Sequence, residues 1–102
     1  MSSARRSFKL SHKEHLILEL LAQADEMYGL QLVDASRRRL KRGTVYVTLG
    51  RMEEKGYLTS RLEDAPREAG GLPRRKYRAT ALGRRLLEAA AHVAGLTLEF
   101  GR

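Results

Sequence analysis

Apolar residues recur along the chain at two spacings, one near three to four residues and one of two. From about Ser11 to Ala24 the apolar positions are Leu16, Ile17, Leu20 and Leu21, the stripe of a helix with one buried face. Ser11-His12-Lys13-Glu14 stands at its start. A Ser hydroxyl and a Glu carboxylate three residues apart satisfy free amides of a first turn from both directions. Ala24-Asp25-Glu26-Met27 breaks the pattern and reads as a loop. A second helix is predicted from Tyr28-Gly29 to about Arg38, with Leu30, Leu32 and Val33 inward. Gly29 at its start allows another backbone to approach, and free amides there suit a phosphate; a tight turn alone would also account for it. Arg37 to Arg42 holds a turn, plugged by Leu40.

The stretch Lys41 to Tyr57 is the most informative. At about 100° per residue, Val45, Leu49 and Met52 share one side and Thr44, Thr48, Arg51 and Lys55 the other. Val47 lies at the edge of the polar side, and Tyr46 falls toward the core side. Gly56 suits the left-handed residue that ends a helix. Tyr57 to Glu63 then reads as a strand, with Leu58 and Leu62 inward. Asp64 to Pro73 contains two prolines and Gly70-Gly71, a hairpin tip. Arg74 to Ala79 is the returning strand, with Tyr77 inward. Thr80 is a suitable N-cap for a last helix from Ala81 to about Phe100.

That last helix carries two apolar lines. Leu82, Leu86, Ala90 and Val93 continue to Leu96 or Thr97 and to Phe100, and Leu87, Ala94 and Leu98 run beside them. A chain of 102 residues buries only a modest core. The distal half, Ala89 to Phe100, is therefore expected to pack on a second copy; the alternative is a helix folded back on its own domain. Phe8, in a Ser- and Arg-rich N-terminal segment, is apolar enough to join that contact. Gly83 and Gly95 weaken the helix locally.

Composition narrows the function. Twenty Lys and Arg against twelve Asp and Glu give a net charge of +8 and a pI near 10.4, so the chain is drawn to polyanions. The cations cluster at Arg37-Arg38-Arg39, Lys41-Arg42 and Arg74-Arg75-Lys76-Arg78, in or beside the expected turns and wing. There is no cysteine, which excludes disulfides and thiolate metal sites. His12 and His15 lack a third ligand nearby and read as surface residues. There is no G-x-S-x-G, no phosphate-binding glycine loop and no paired catalytic carboxylates, so neither catalysis nor a cofactor is expected. No apolar run approaches a membrane span, and no secretory h-region follows Arg5-Arg6. A cytoplasmic location without membrane partners is expected.

The predicted order is helix, helix, cationic helix, two-stranded wing, long terminal helix. The fold class is thus mainly α with a small β-hairpin: one winged helix-turn-helix domain over residues 1–102, its core at 11–80 and a dimerisation helix at 81–100. The sequence resembles the PadR family of bacterial transcriptional regulators. The likeness rests on Tyr28-Gly29-Leu30-Gln31-Leu32, Gly43-Thr44-Val45-Tyr46, Leu49 to Leu58 and Arg75 to Gly83. These match family patterns Y-G-x-x-L, G-T-x-Y, L-x-R-L-E-x-x-G-Y/L and R-K-Y-Y-x-[LI]-T-x-x-G. The chain departs from them at Lys41-Arg42, where Ser-Pro often caps the recognition helix, at Met52 for Leu, and at Arg78 and Ala79. The resemblance implies a homodimeric DNA-binding regulator, usually a repressor. It also implies release by a small hydrophobic or phenolic effector bound near the dimer interface.

The candidate DNA contacts follow. Thr44, Thr48 and Arg51 face the groove, with Arg51 able to fork onto a guanine. Tyr28, Lys41, Arg42 and Lys55 are phosphate candidates, and Arg74, Arg75 and Lys76 would hold the backbone or minor groove beside the wing. For Tyr46, a buried role and, by resemblance, a phosphate contact both stand. The dimer candidates are Phe8, Leu86, Ala90, Val93, Leu96 and Phe100. Two other readings compete: a basic module binding RNA or DNA without sequence preference, and a winged helix working through protein contacts. The scarcity of aromatics speaks against single-stranded RNA, and the positive charge against a purely protein-binding role.

Overall fold

In the computed structural model the described residues are 9–64 and 73–100, and for 92–100 the helical backbone alone. Phe8, the hairpin tip at 65–72, and the side chains of Val93, Leu96 and Phe100 lie outside them. The elements are α1 (His12–Ala24), β1 (Met27–Tyr28), α2 (Gly29–Ala35), α3 (Arg42–Glu54), β2 (Leu58–Glu63), β3 (Arg74–Ala79) and α4 (Ala81–Phe100).

Ser11 caps α1 as its sequence suggests. The Glu14 amide donates to Ser11 Oγ at 3.2 Å and the Ser11 amide to Glu14 Oε1 at 2.9 Å. The buried face is Glu14, Ile17, Leu18 and Leu21; Leu16 and Leu20 lie at its margin. After α1 the chain turns tightly at Asp25, φ 67° and ψ −61°, where the Glu26 amide donates to the Ala24 carbonyl at 2.7 Å. This is a γ-turn. It aims the chain back, and Met27-Tyr28 pair with β3. The expected loop therefore contains a third strand, and the wing is an antiparallel sheet of order β1-β3-β2. Two residues carry too little periodicity to be seen in a sequence; their strand exists because β3 offers them a free edge.

The second helix stops at Ala35, short of the expected Arg38. Ser36 is buried there, its hydroxyl donating to the Val33 carbonyl and accepting the Leu40 amide. Arg37 and Arg38 take positive φ, 55° and 66°, which bends the chain toward α3. Leu40 then plugs the turn at 1% exposure. Leu32 and Val33 face inward, but Leu30 is 45% exposed, a correction to its expected inward position. Leu30 opens instead onto the cleft it shares with Tyr46 of α3.

Val45, Leu49 and Met52 bury the inner face of α3 as predicted, whereas Tyr46 is 48% exposed instead of turned to the core. Its ring lies across Gly29: a methyl at Gly29 would stand 2.5 Å from it. The close approach that Gly29 permits is thus to a ring and not to a backbone. At the end of α3, Gly56 adopts φ 83°. The Gly56 amide donates to Glu53 O and the Tyr57 amide to Met52 O, the paired bonds of a Schellman turn. The Tyr57 carbonyl then accepts the Thr80 amide at 3.0 Å, and Thr80 Oγ1 accepts from the Gly83 amide at 3.1 Å. Gly83 sits so close to the Tyr57 carbonyl that a methyl there would overlap it. This joint locks helix α4 to the link between α3 and the wing. Leu82, Leu86 and Leu87 pack from α4 onto the core.

Candidate nucleic-acid interface

The β2–β3 register pairs Leu58 with Ala79, Ser60 with Tyr77, Arg61 with Lys76 and Glu63 with Arg74. Alternation then sorts the side chains. Leu58, Ser60, Leu62, Arg75, Tyr77 and Ala79 share one face; Thr59, Arg61, Glu63, Arg74, Lys76 and Arg78 share the other. Arg75, between Arg74 and Lys76 in sequence, therefore stands on the opposite face of the sheet from both. Leu62 is on the inner face but so near the tip that it is 60% exposed, which corrects its expected burial.

On the outer face two carboxylates engage Arg61 and Lys76. Glu26 meets Arg61 at 3.1 Å and Lys76 at 4.0 Å. Glu63 meets Arg61 at 3.2 Å and Lys76 at 3.9 Å, and its other oxygen accepts the Tyr28 hydroxyl. Arg74 and Lys76 lie over the Tyr28 ring, 4.2 and 5.2 Å from its centroid. The hydrogen bond from Tyr28, with Lys76 and Arg61 beside it, holds the Glu63 carboxyl below its ordinary pKa; the same bond raises that of Tyr28. The hydrogen bond from Arg61 lowers Glu26 likewise. Arg78 reaches Asp25 at 3.4 Å. On the inner face Arg75 donates to the neutral Ser60 hydroxyl at 3.0 Å.

The polar face of α3 is different. Lys41, Arg42, Thr44 and Arg51 are exposed and Thr48 half-buried, its hydroxyl 3.4 Å from the Thr44 carbonyl. No side chain caps α3 at Lys41, so the helix starts with free amides beside two cations. Lys55 is the exception. It pairs with Glu14 of α1 at 2.7 Å and lies 5.6 Å from the Tyr57 ring centroid. Burial pushes the Glu14 carboxyl up, but its bonds to Lys55 and to Ser11 outweigh this and hold it below its ordinary value. The sequence alone assigned Lys55 to phosphate; in the fold its ammonium ties α1 to the end of α3.

Two open clefts flank α3. One, about 990 Å³, is lined by Lys9, Ser11, His12, Lys13, Thr48 and Arg51, among others. Lys9, His12 and Lys13 were not among the residues picked from the sequence, although their position around a helix start next to the capping box was a usable signal. The other cleft, about 510 Å³, lies between α3 and the wing and includes Tyr28, Leu30, Tyr46, Leu62, Arg74 and Arg75. The exposed apolar residues Leu30, Tyr46 and Leu62 thus line one cleft with two guanidinium groups. The interface brings together Thr44, Thr48 and Arg51 on one helix face, and Tyr28, Tyr46, Arg74 and Arg75 around one cleft. Of the expected dimer contacts, Leu86 packs against its own core and Ala90 is half-buried. Among the described residues no cluster of three potential metal ligands occurs and no helix is long and apolar enough to cross a membrane.

A family model, the transcriptional regulator PadR-like family, matches residues 17–89. No curated protein matches the chain. Among solved structures, a PadR family transcription regulator from hypervirulent Clostridium difficile is 26% identical with a TM-score of 0.69, covering 90% of this chain and 100% of that one. A PadR family transcriptional regulator from Eggerthella lenta is 29% identical with a TM-score of 0.68, covering 86% and 77%. A PadR-like transcription factor from Bacteroides fragilis, 23% identical with a TM-score of 0.68 over 87% and 88%, shares the fold.

Proposed function

The chain belongs to the PadR-like family of transcriptional regulators, and from that premise we propose that it is a homodimeric repressor that binds an inverted-repeat DNA operator. The observation that carries this reading is the division of α3. Val45, Leu49 and Met52 anchor the helix at 1% exposure or less while Thr44 and Arg51 stand in solvent between two cation-lined clefts. A helix so held presents hydroxyl and guanidinium groups to base edges, and the clefts receive the phosphate backbones to either side. Thr44, Thr48 and Arg51 read the bases. Lys41, Arg42, Tyr46, Arg74 and Arg75 hold phosphates, joined by Lys9, His12 and Lys13 from the start of α1.

Pairing through the distal half of α4 would place two such helices about one DNA turn apart, which calls for an inverted repeat. The two apolar lines of that helix support pairing. A small hydrophobic or phenolic effector that releases DNA, and a cytoplasmic location, go with the family and complete the reading. The test is a titration against the DNA upstream of the chain's own gene beside a scrambled duplex of equal length, at several salt concentrations. Binding to the native duplex at least about 10³-fold tighter near physiological salt is the expected result. Equal weak binding to both with a steep salt slope would favour a non-specific binder.

A further inference from the structure

The outer face of the wing holds a carboxylate where a DNA-binding surface has least use for one. Glu63 lies across from Arg74 in the β2–β3 register, at the end of the strand next to the hairpin tip. Its oxygens occupy the Tyr28 hydroxyl, Arg61 and, more loosely, Lys76. Tyr28 itself lines the cleft between α3 and the wing and carries the Arg74 guanidinium over its ring. A hydroxyl donor, a guanidinium and an ammonium converging on two anionic oxygens are the partner set that a backbone phosphate recruits.

We propose that Glu63 is an internal stand-in for a DNA phosphate: it holds Tyr28, Arg61 and Lys76 in place in the free protein and must give them up when DNA binds. The inference rests on the DNA-binding reading above and adds a residue that governs discrimination. The exchange costs binding energy on every duplex alike, because the carboxylate must be displaced whatever the sequence. Binding then depends on the contacts that α3 makes to the right bases. Glu63 also keeps the cations oriented, and Glu26 continues to hold Arg61 and Lys76 when Glu63 lets go. The wing is therefore not unmade by the exchange.

The experiment is the same titration, native and scrambled duplex at several salt concentrations, with the full chain, Glu63→Gln and Glu88→Gln. Glu88 is exposed on α4, so its substitution makes the same change in net charge away from the wing. Glu63→Gln keeps an oxygen that can accept from Tyr28 but drops the negative charge. Its affinity for the scrambled duplex is expected to rise about tenfold, with the salt slope steeper by about one ion, while Glu88→Gln changes little. Thermal unfolding checks that both variants are folded. Unchanged or weaker binding by folded Glu63→Gln overturns the inference, as does an equal gain in Glu88→Gln, which would mark a general charge effect. In either case tight native-duplex binding by the parent chain leaves the functional reading standing. If the parent binds neither duplex even at low salt, the functional reading falls, and the inference with it.

Discussion

Helix α3 and the wing both carry cations, yet the fold treats most of them in opposite ways. On α3, Lys41, Arg42 and Arg51 stand in solvent, and no ion pair engages them among the described residues. On the outer face of the wing, Arg61, Lys76 and Arg78 are each tied to a carboxylate from a distant part of the chain. A net positive charge read from composition therefore overstates what the wing can offer a polyanion. Helix α3 leaves its charge open because no carboxylate among the described residues reaches Lys41, Arg42 or Arg51. On the wing's outer face Arg61, Lys76 and Arg78 offer it only by exchange, whereas Arg74, over the Tyr28 ring, and Arg75, bonded to the Ser60 hydroxyl that itself donates to Glu53, have no direct ion pair among the described residues.

The comparison is broken most severely at the joint between the two regions. Gly83→Ala would drive a methyl into the Tyr57 carbonyl, and overpacking of this kind costs about 1–3 kcal/mol. Chemical denaturation should show the loss, and because the joint orients α3 against the wing, DNA affinity should fall with it. Arg51→Ala tests the helix alone: operator affinity should drop by about 1–3 kcal/mol and base preference should blur, while stability stays put. A variant with unchanged operator affinity and preference would mean that the recognition face has been misassigned. For the wing, Arg75→Ala should weaken all duplexes alike and lessen the salt slope by about one, whereas Arg78→Ala, whose partner is Asp25, should do less. An equal effect of both would erase the distinction between the two faces of the sheet.

Smaller effects sharpen the picture. Lys41 stands at the N-cap of α3 without a side-chain bond, so Lys41→Ser should stabilise the protein by about 0.5–1 kcal/mol. The same change should weaken DNA binding, separating stability from affinity in one variant. The Glu14–Lys55 pair gives a pH test. Glu14 is held below its ordinary value of 4.5 in the fold. Its contribution to stability is thus complete above that value and is lost as pH falls through the lower, folded one. A Glu14→Gln variant should unfold with a flatter acid limb than the parent when denaturation midpoints are compared between pH 5 and 2. The contribution is modest, because Lys55 is 47% exposed and solvent screens the pair.

Much of this was legible in the residues. The capping box at Ser11-Glu14, the buried stripe Val45-Leu49-Met52, the left-handed Gly56 and the returning strand Arg74–Ala79 with Tyr77 inward all rest on hydrogen bonds or periodicities within a few residues. Such features are encoded where they occur, because the partners are close in sequence. The misplacements share the opposite origin. Apolar character alone puts Leu30 and Leu62 inward, and the helical wheel turns Tyr46 toward the core side with a phosphate contact left open, yet what surrounds each is decided by a cleft that α2, α3 and the wing form only when assembled. The strand at Met27-Tyr28 was invisible because two residues show no period, and its formation depends on β3, nearly fifty positions later.

The sequence by itself determined that this chain makes a cationic helix-turn-helix with a wing and a long amphipathic last helix, since local capping, turn chemistry and hydrophobic spacing all agree. Tertiary structure decided which charges are free. Tyr28 meets Glu63 across 35 residues, Lys55 meets Glu14 across 41 and Arg78 meets Asp25 across 53. An ion pair depends on the separation of its groups in space, and for these pairs that separation exists only once the sheet and helices have packed.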